Sequence, residues 1–299
     1  MKQLVYYKKI ITQNMAQVQR FLGLLIILLL VSACGDNNTR EVVSGDTSPY
    51  QLLISSSDMT PLGSRLVLTL WDGPERLTGA QALDVELYSI SSSGDATAKV
   101  WEGASTSYEM NGLQYWISYP DFPAAGNYGV RAIVTNQEGK RIENQAILAV
   151  KEAAEAPDIG DIPPRSNTRT LDEAPIEELT SAGPYIERFY EMSVADAIDG
   201  NKPAIIAFST PAYCTSALCT PVMQTLETVS QELGDQVNVV HVEVWRDFAN
   251  QKIEPAIEEW NLPSEPWLFI LNADGTIGAR LDGPVSPQEL REVMADLIG

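Results

Sequence analysis

The chain has one histidine and three cysteines in 299 residues, and only 20 lysines and arginines against 40 aspartates and glutamates. A single imidazole excludes a histidine-rich metal centre. The formal charge of −20 excludes a general affinity for nucleic acid or anionic lipid, since like charge repels both. Long apolar runs are equally scarce. FLGLLIILLLV (21–31) is apolar or Gly throughout, but it falls short of the roughly 20 residues a membrane-spanning helix needs.

That run has a context. Lys2, Lys8, Lys9 and Arg20 precede it, and Ser32, Ala33 and Cys34 close it. A basic region, an apolar region and small residues before a cleavage point describe an export signal. The stretch VSAC (31–34) resembles the lipobox of bacterial lipoproteins. The resemblance implies a signal peptide at 1–33, lipid (palmitate among its acyl chains) on Cys34, and a protein tied to the cell membrane outside the cytoplasm. The first 14 residues look like extra length, with Met15 as the alternative start. Removing residues 1–33 takes away four basic residues and no acidic ones, leaving 16 against 40, or −24. Cys214 and Cys219 are then the remaining thiols, in a compartment where a close pair can be oxidised.

About 265 residues remain after cleavage, enough for two domains. Residues 34–49 are polar and read as a tether. Residues 50–150 read as an all-β domain, with candidate strands at 65–71, 82–90, 97–103, 113–119, 128–135 and 145–150. Turns rich in Gly, Pro, Asn and Ser separate them, which suggests a sandwich. GNYGVRAIV (126–134) resembles the tyrosine-bearing late strand of immunoglobulin-like domains. Trp71, Trp101, Tyr115 and Trp116 read as core rather than as a ligand patch. With no cluster of catalytic groups, this domain is expected to be a spacer, a dock for another protein or a substrate-presenting surface. Residues 151–183 are acidic and Pro-containing, and read as an extended linker with a short helical turn near 176–180.

Residues 184–299 have another rhythm. Helix 193–200 is followed by strand 203–210, helix 221–233, strand 237–245, helix 253–260, strands 266–272 and 275–283, and helix 286–298. From the first of these strands the order is β-α-β-α-β-β-α. Thr220 reads as a cap and Pro221 as the first turn of helix 221–233.

Three features carry a resemblance to the thioredoxin superfamily. Cys214 follows the first central strand after a short turn. Glu265-Pro266 precedes an apolar strand. N-x-D-G at 272–275 opens a hairpin, with Gly283 and Ser286 before the last helix. The resemblance implies an α/β thioredoxin-like domain at 184–299 and an extracytoplasmic thiol–disulfide oxidoreductase acting on protein thiols or disulfides. It implies Cys214 as the attacking and Cys219 as the resolving residue, and substrate contacts at Tyr213, Glu265, Pro266 (expected cis, facing the cysteines) and Trp267. No cofactor and no metal are implied. Two departures stand out: four residues separate the cysteines instead of two, and Ala207 occupies the position nearest the family's buried acid. Water or Glu243 would have to serve in its stead.

The spacing itself limits the geometry. Positions i and i+5 of one helix differ by about 7.5 Å of rise, whereas a disulfide wants Cα atoms about 4.4–6.8 Å apart. Closure is easy if CTSALC (214–219) is a loop and the helix starts near Thr220. Other readings remain beside catalysis: an inert disulfide in a binding module, and a copper-delivery protein using both thiols and His241. The copper reading fits poorly, because His241 sits mid-strand between valines. A peroxidase loop is suggested by Pro211 and Thr215, but Cys219 falls four residues after the threonine where that motif wants three.

Overall fold

Nine strands build the first part of the computed structural model, which describes residues 48–299 apart from 62, 63, 92, 251 and 299. The signal segment, Cys34 and all but the end of the tether lie outside the described residues. Strands β1 (Tyr50–Ile54), β2 (Leu66–Asp72), β3 (Glu75–Arg76), β6 (Thr106–Met110) and β7 (Leu113–Ser118) form one antiparallel sheet in the order β1-β2-β7-β6, with β3 on β2. Strands β4 (Ala82–Ile90), β5 (Ala96–Ala104), β8 (Gly126–Thr135) and β9 (Arg141–Val150) form the other, in the order β5-β4-β8-β9. Leu83, Val85 and Leu87 of β4 and Tyr128, Val130, Ala132 and Val134 of β8 point into the shared core, as the pleat requires of one face. The Tyr128 hydroxyl donates to the Ala124 carbonyl at 2.7 Å, pinning the entry to β8.

β2 does not alternate. Leu66, Leu68 and Leu70 fill the sandwich core, while Val67 between them belongs to the core of the second part. On β7, Trp116 faces the sandwich, while Leu113, Tyr115 and Ile117 face away from it into the same second core. A strand buried on both faces reads as a nearly unbroken apolar run, so RLVLTLW is the signature of a sheet covered on both sides.

What covers it is an α/β layer. After a turn, α1 (Ile176–Leu179), and a one-turn 3-10 helix (Glu187–Tyr190) come α2 (Val194–Asp199), β10 (Ala204–Ser209), α3 (Cys219–Leu233), β11 (Asn238–Glu243), the ribbon β12 (Trp245–Asp247) and β13 (Lys252–Ile253), α4 (Pro255–Glu259), β14 (Trp267–Leu271), β15 (Ile277–Asp282) and α5 (Pro287–Ile298). The main sheet runs β11-β10-β14-β15, parallel at the first pair and antiparallel at the others. From β10 onward the elements follow the β-α-β-α-β-β-α order expected from the sequence, with the ribbon β12–β13 inserted before α4. Ile205 and Ala207 of β10 pack toward α3 and α5, while Ala204, Ile206 and Phe208 pack toward α2, Trp260 and Phe269. Ser193 caps α2 in a reciprocal capping box with Asp196.

The two parts are joined by buried charge. Arg65 donates through Nε to Glu289 Oε1 at 2.6 Å and through Nη2 to Oε2 at 2.8 Å, and its remaining donors reach the carbonyls of Asp282 and Pro284 at 2.6 Å. Tyr115 Oη donates to the same Glu289 carboxylate at 2.7 Å and accepts from the Ser286 N–H at 2.6 Å. A second joint forms at Asp58, which meets Arg280 at 2.5 Å and Lys151 at 3.0 Å. Burial alone would raise the Asp58 carboxyl, but the Glu155 N–H and these two cations hold it below the usual carboxylate range.

Residues 151–183, read from the sequence as an extended linker, are instead packed against the α/β layer. Gly160 and Asp161 exchange backbone hydrogen bonds with Ile277 on the edge of β15 (2.8 and 2.9 Å). Trp260 Nε1 donates to Ser166 Oγ at 3.2 Å, and Ala156, Ser166, Thr168, Leu179 and Thr180 are buried. The prolines and charges that suggested extension hold an irregular strap, whose polar groups find partners on the sheet edge.

Replacing Arg65 by Met leaves the Glu289 carboxylate buried without its cation, and is expected to cost about 3–5 kcal/mol. Urea unfolding followed by tryptophan fluorescence checks this. It should show one transition for sandwich and α/β layer together, and two well-separated transitions would contradict the joint.

Candidate functional site

Cys219 is the first residue of α3, so the helix starts two residues before the Pro221 start expected from sequence, and Thr220 lies inside it rather than capping it. Pro221 then sits in the first turn, where an N–H has no helical partner and its loss is harmless. The N-cap position falls to Leu218, whose side chain offers no cap. Cys214 supplies the missing acceptor. Its Sγ takes the Cys219 N–H at 3.3 Å and lies 3.2 Å from Ser216 Oγ, which accepts from the Leu218 N–H at 3.4 Å. The chain turns back between the cysteines at Ala217, whose φ of 58° is left-handed. That conformation costs a non-glycine residue roughly 1–2 kcal/mol.

Both cysteines are free thiols; Cys214 is half-buried and Cys219 wholly buried. The Cys219 thiol donates toward Cys214, and this contact, opposed by burial and aided by Ser216 and the Cys219 and Leu218 N–H groups, brings the Cys214 thiol down to about 5. Cys219 moves the opposite way, raised by the same contact and by its burial. A sulfur at a helix N-terminus is where a thiolate is favoured.

Glu265-Pro266 is cis and lies just before β14. The Glu265 carboxyl is pushed up by burial, then by the charge on Cys214, then by Glu243, so these three acids share one neighbourhood. Tyr213 is 54% exposed and lies against Phe248 with ring centroids 5.5 Å apart. Trp267, expected to border a partner groove, is 1% exposed instead. It stacks on Phe269 at 5.3 Å beneath the Arg280 guanidinium, and its Nε1 donates to Ser264 Oγ at 3.2 Å. Its ring is committed to the core and to the sandwich joint, leaving no face for a partner.

His241 is buried with both ring nitrogens engaged, Nδ1 with Tyr190 Oη at 2.6 Å and Nε2 with Ser209 Oγ at 2.8 Å. Burial pushes it down to about 4, so it is neutral. Its nitrogens are therefore not offered to a copper ion beside the thiols.

Several neighbours escaped sequence reasoning. Ser216 stands two residues after Cys214, a spacing at which a hydroxyl turns back on the chain. Ser181 accepts the Ala212 N–H at 3.1 Å from inside the supposed linker, and Phe248 sits in a polar turn; neither carries a local signal. A groove of about 240 Å³ beside the loop is lined by Ala182, Pro184, Ile186, Phe189, Pro211 and Met223, among others.

No family model matches the chain, and no curated protein matches it. Among solved structures it is similar to a thiol:disulfide interchange protein of the thioredoxin family from Chlorobium tepidum TLS, with 17% identity over 35% of this chain and 85% of that one and a TM-score of 0.30. It is also similar to StoA from Bacillus subtilis, with 18% identity over 31% and 83% and a TM-score of 0.26. CopC from Methylosinus trichosporium OB3b matches with 15% identity over 34% and 93% and a TM-score of 0.23. The scores are low, and the fold is read from the sheet order above.

A thiol brought down to about 5 is ionised through neutral pH. Iodoacetamide should therefore label Cys214 at a rate that is flat from about pH 6.5 upward and falls roughly tenfold per unit below the inflection. Peptide mass spectrometry reads the rate, and an inflection near the ordinary thiol value of about 8.5 would contradict the geometry.

Proposed function

We propose that the chain is a membrane-anchored, extracytoplasmic thiol–disulfide oxidoreductase acting on protein thiols or disulfides, with Cys214 attacking and Cys219 resolving. The observation that carries this reading is the half-exposed Cys214 sulfur at the first turn of α3, which accepts the N–H of a wholly buried Cys219, an environment that lowers the Cys214 thiol. An inert clasp has no need of such asymmetry. Exchange requires it: one sulfur ionised and within reach of a partner, the other protonated and sheltered until the second step. The anchor rests on VSAC (31–34) alone.

In the reducing direction, the Cys214 thiolate attacks one sulfur of the partner disulfide. A Cys214–partner bond forms, the partner's S–S bond breaks, and the first partner thiolate leaves and takes a proton. Cys219 then loses its proton and attacks Cys214. The Cys214–Cys219 bond forms, and the second partner thiolate is released and protonated. Two electrons pass from the protein thiols to the partner. The backbone of Glu265, the residue before Pro266, is suited to pair with an extended partner segment. Tyr213, resting on Phe248, offers an aromatic ledge beside the reacting sulfur.

With Cys219→Ala, mixed disulfides through Cys214 should accumulate, seen as reducible adducts on non-reducing gels. With Cys214→Ala none should form, because Cys219 is wholly buried. Adducts in neither variant, with no turnover of a disulfide substrate by the wild type, would leave the pair as a structural element.

A further inference from the structure

α3 carries one stripe of side chains away from the cysteine loop. Thr220, Met223, Gln224 and Glu227 stand at i, i+3, i+4 and i+7, a spacing that puts them on one face of the helix. That face is one wall of the groove of about 240 Å³ beside the loop. Pro184 and Ile186, just after the strap, belong to the facing wall, and the buried Phe189 and Met223 make the floor. Pro211 closes the near end, its carbonyl accepting from Thr220 Oγ1 at 3.2 Å. Neither Tyr213 nor Glu265 lines the groove, so it is separate from the partner contacts assigned above.

Among the described residues that line the groove, Glu227 alone is charged. Its carboxylate is partly exposed and accepts from Gln231 Nε2 at 3.3 Å. Arg188, two residues beyond Ile186, is turned instead to the carbonyls of Ser230 and Gly234, at 3.2 and 3.4 Å. An apolar floor with one carboxylate on its rim is complementary to an apolar side chain accompanied by a cation.

Resting on the exchange reading above, we propose that this groove holds the extended stretch of the partner protein next to its reacting cysteine, and selects an apolar side chain two residues from that cysteine and a lysine or arginine four residues from it. The spacing follows from two periodicities. Cys214 Sγ accepts the Cys219 N–H at 3.3 Å, so a partner sulfur bonded to Cys214 lies beside the first turn of α3. Met223 and Glu227 are four and eight residues beyond Cys219, or about 6 and 12 Å of helical rise. An extended chain advances about 3.3 Å per residue and turns alternate side chains to one face, so its second and fourth residues reach about 6.6 and 13 Å. The two repeats keep step over the length of the groove.

The sandwich braces this wall. Asn111, at the turn between β6 and β7, donates through Nδ2 to Gln224 Oε1 at 2.5 Å, and Met110 and Leu113 on either side of the turn join the core that holds Met223. The groove is therefore formed in advance, and a partner gains its contacts without ordering it. Those contacts are made before any sulfur reacts, so they speed capture of the partner by Cys214.

The test uses two end-blocked peptides of identical composition, each as its symmetric disulfide dimer. The matched peptide is Lys-Thr-Leu-Thr-Cys-Thr-Leu-Thr-Lys, which offers the pattern on both sides of the cysteine. The shifted peptide, Thr-Lys-Thr-Leu-Cys-Leu-Thr-Lys-Thr, has the same charge with each side chain moved by one residue onto the opposite face. The full chain is mixed with each dimer, and the second-order rate at which Cys214 takes up peptide and releases the other peptide as a thiol is read by acid quench and mass spectrometry. Each rate is divided by that of free 2-mercaptoethanol with the same dimer. The matched dimer should react roughly 5- to 20-fold faster, the gain from partly burying one leucine and pairing one lysine. Ala182→Trp, which fills the groove from a partly exposed strap position, should bring that ratio to within about twofold. Glu227→Lys should lower it about threefold or more, by setting like charges against each other. If Ala182→Trp does not fold, Glu227→Lys decides. Equal rates for the two dimers in the wild type overturn the groove assignment while leaving exchange standing, and so does an undiminished ratio in the folded variants. Absence of peptide on Cys214 from either dimer overturns both.

Discussion

The first turn of α3 presents backbone N–H groups that no helical carbonyl can accept, and the chain answers with a sulfur atom. Leu218 cannot cap the helix, so Cys214 does, from five residues upstream. Several features follow from that single contact. The loop must double back, which puts Ala217 in a left-handed conformation. The capping sulfur is favoured as an anion, because it faces amide donors at the positive end of the helix dipole. Cys219, whose own N–H makes the contact, is carried into the core by the helix it begins. The acid–base asymmetry of the pair is thus a consequence of where the helix starts.

The sandwich is part of the same construction. Its β2 and β7 strands give one face to their own core and the other to the α/β core, and Arg65 delivers a guanidinium to Glu289 at the start of α5. A buried ion pair contributes little net stability against a well-packed apolar replacement, but losing one partner is costly. Such a joint defines one orientation rather than adding general adhesion. Ser57 of the sandwich donates to Asp282 at the end of β15, and Ser264, just before the cis Glu265-Pro266 bond, donates to Ser57 at 2.9 Å. The segment bearing Glu265 is therefore braced by the sandwich, and Trp267 is buried because its indole belongs to that brace.

Much of this was legible in the residues. Strand 82–90 is found where alternation put it, the capped α2 follows Ser193, and the β-α-β-α-β-β-α order is observed with the ribbon β12–β13 inserted before α4. Edge strands β1 and β6 were not seen, because their sequences, YQLLI and TSYEM, are short and carry little period-2 contrast. The strap at 151–183 was misread because composition reports what a segment can do alone, whereas its partners, Ile277, Trp260 and Glu243, lie 62 or more residues away in sequence. The site was legible by its cysteines and by Glu265-Pro266. Ser181 and Phe248 were not, since each matters through a contact that only the fold brings together. Trp267 shows the opposite error: proximity to Pro266 in sequence suggested a surface, yet strand alternation and the sandwich joint turned the ring inward.

The most direct test of an exchange-competent pair is its equilibrium with glutathione. The full chain, carrying Cys34→Ser so that only two thiols report, is held in buffers of graded reduced and oxidised glutathione. It is then quenched by alkylation and weighed by mass spectrometry. The expected result is a reversible two-electron transition to a Cys214–Cys219 disulfide with a potential above about −300 mV, reached from both directions. A pair that stays oxidised across the series with a potential below that value, or one that never closes, would contradict it.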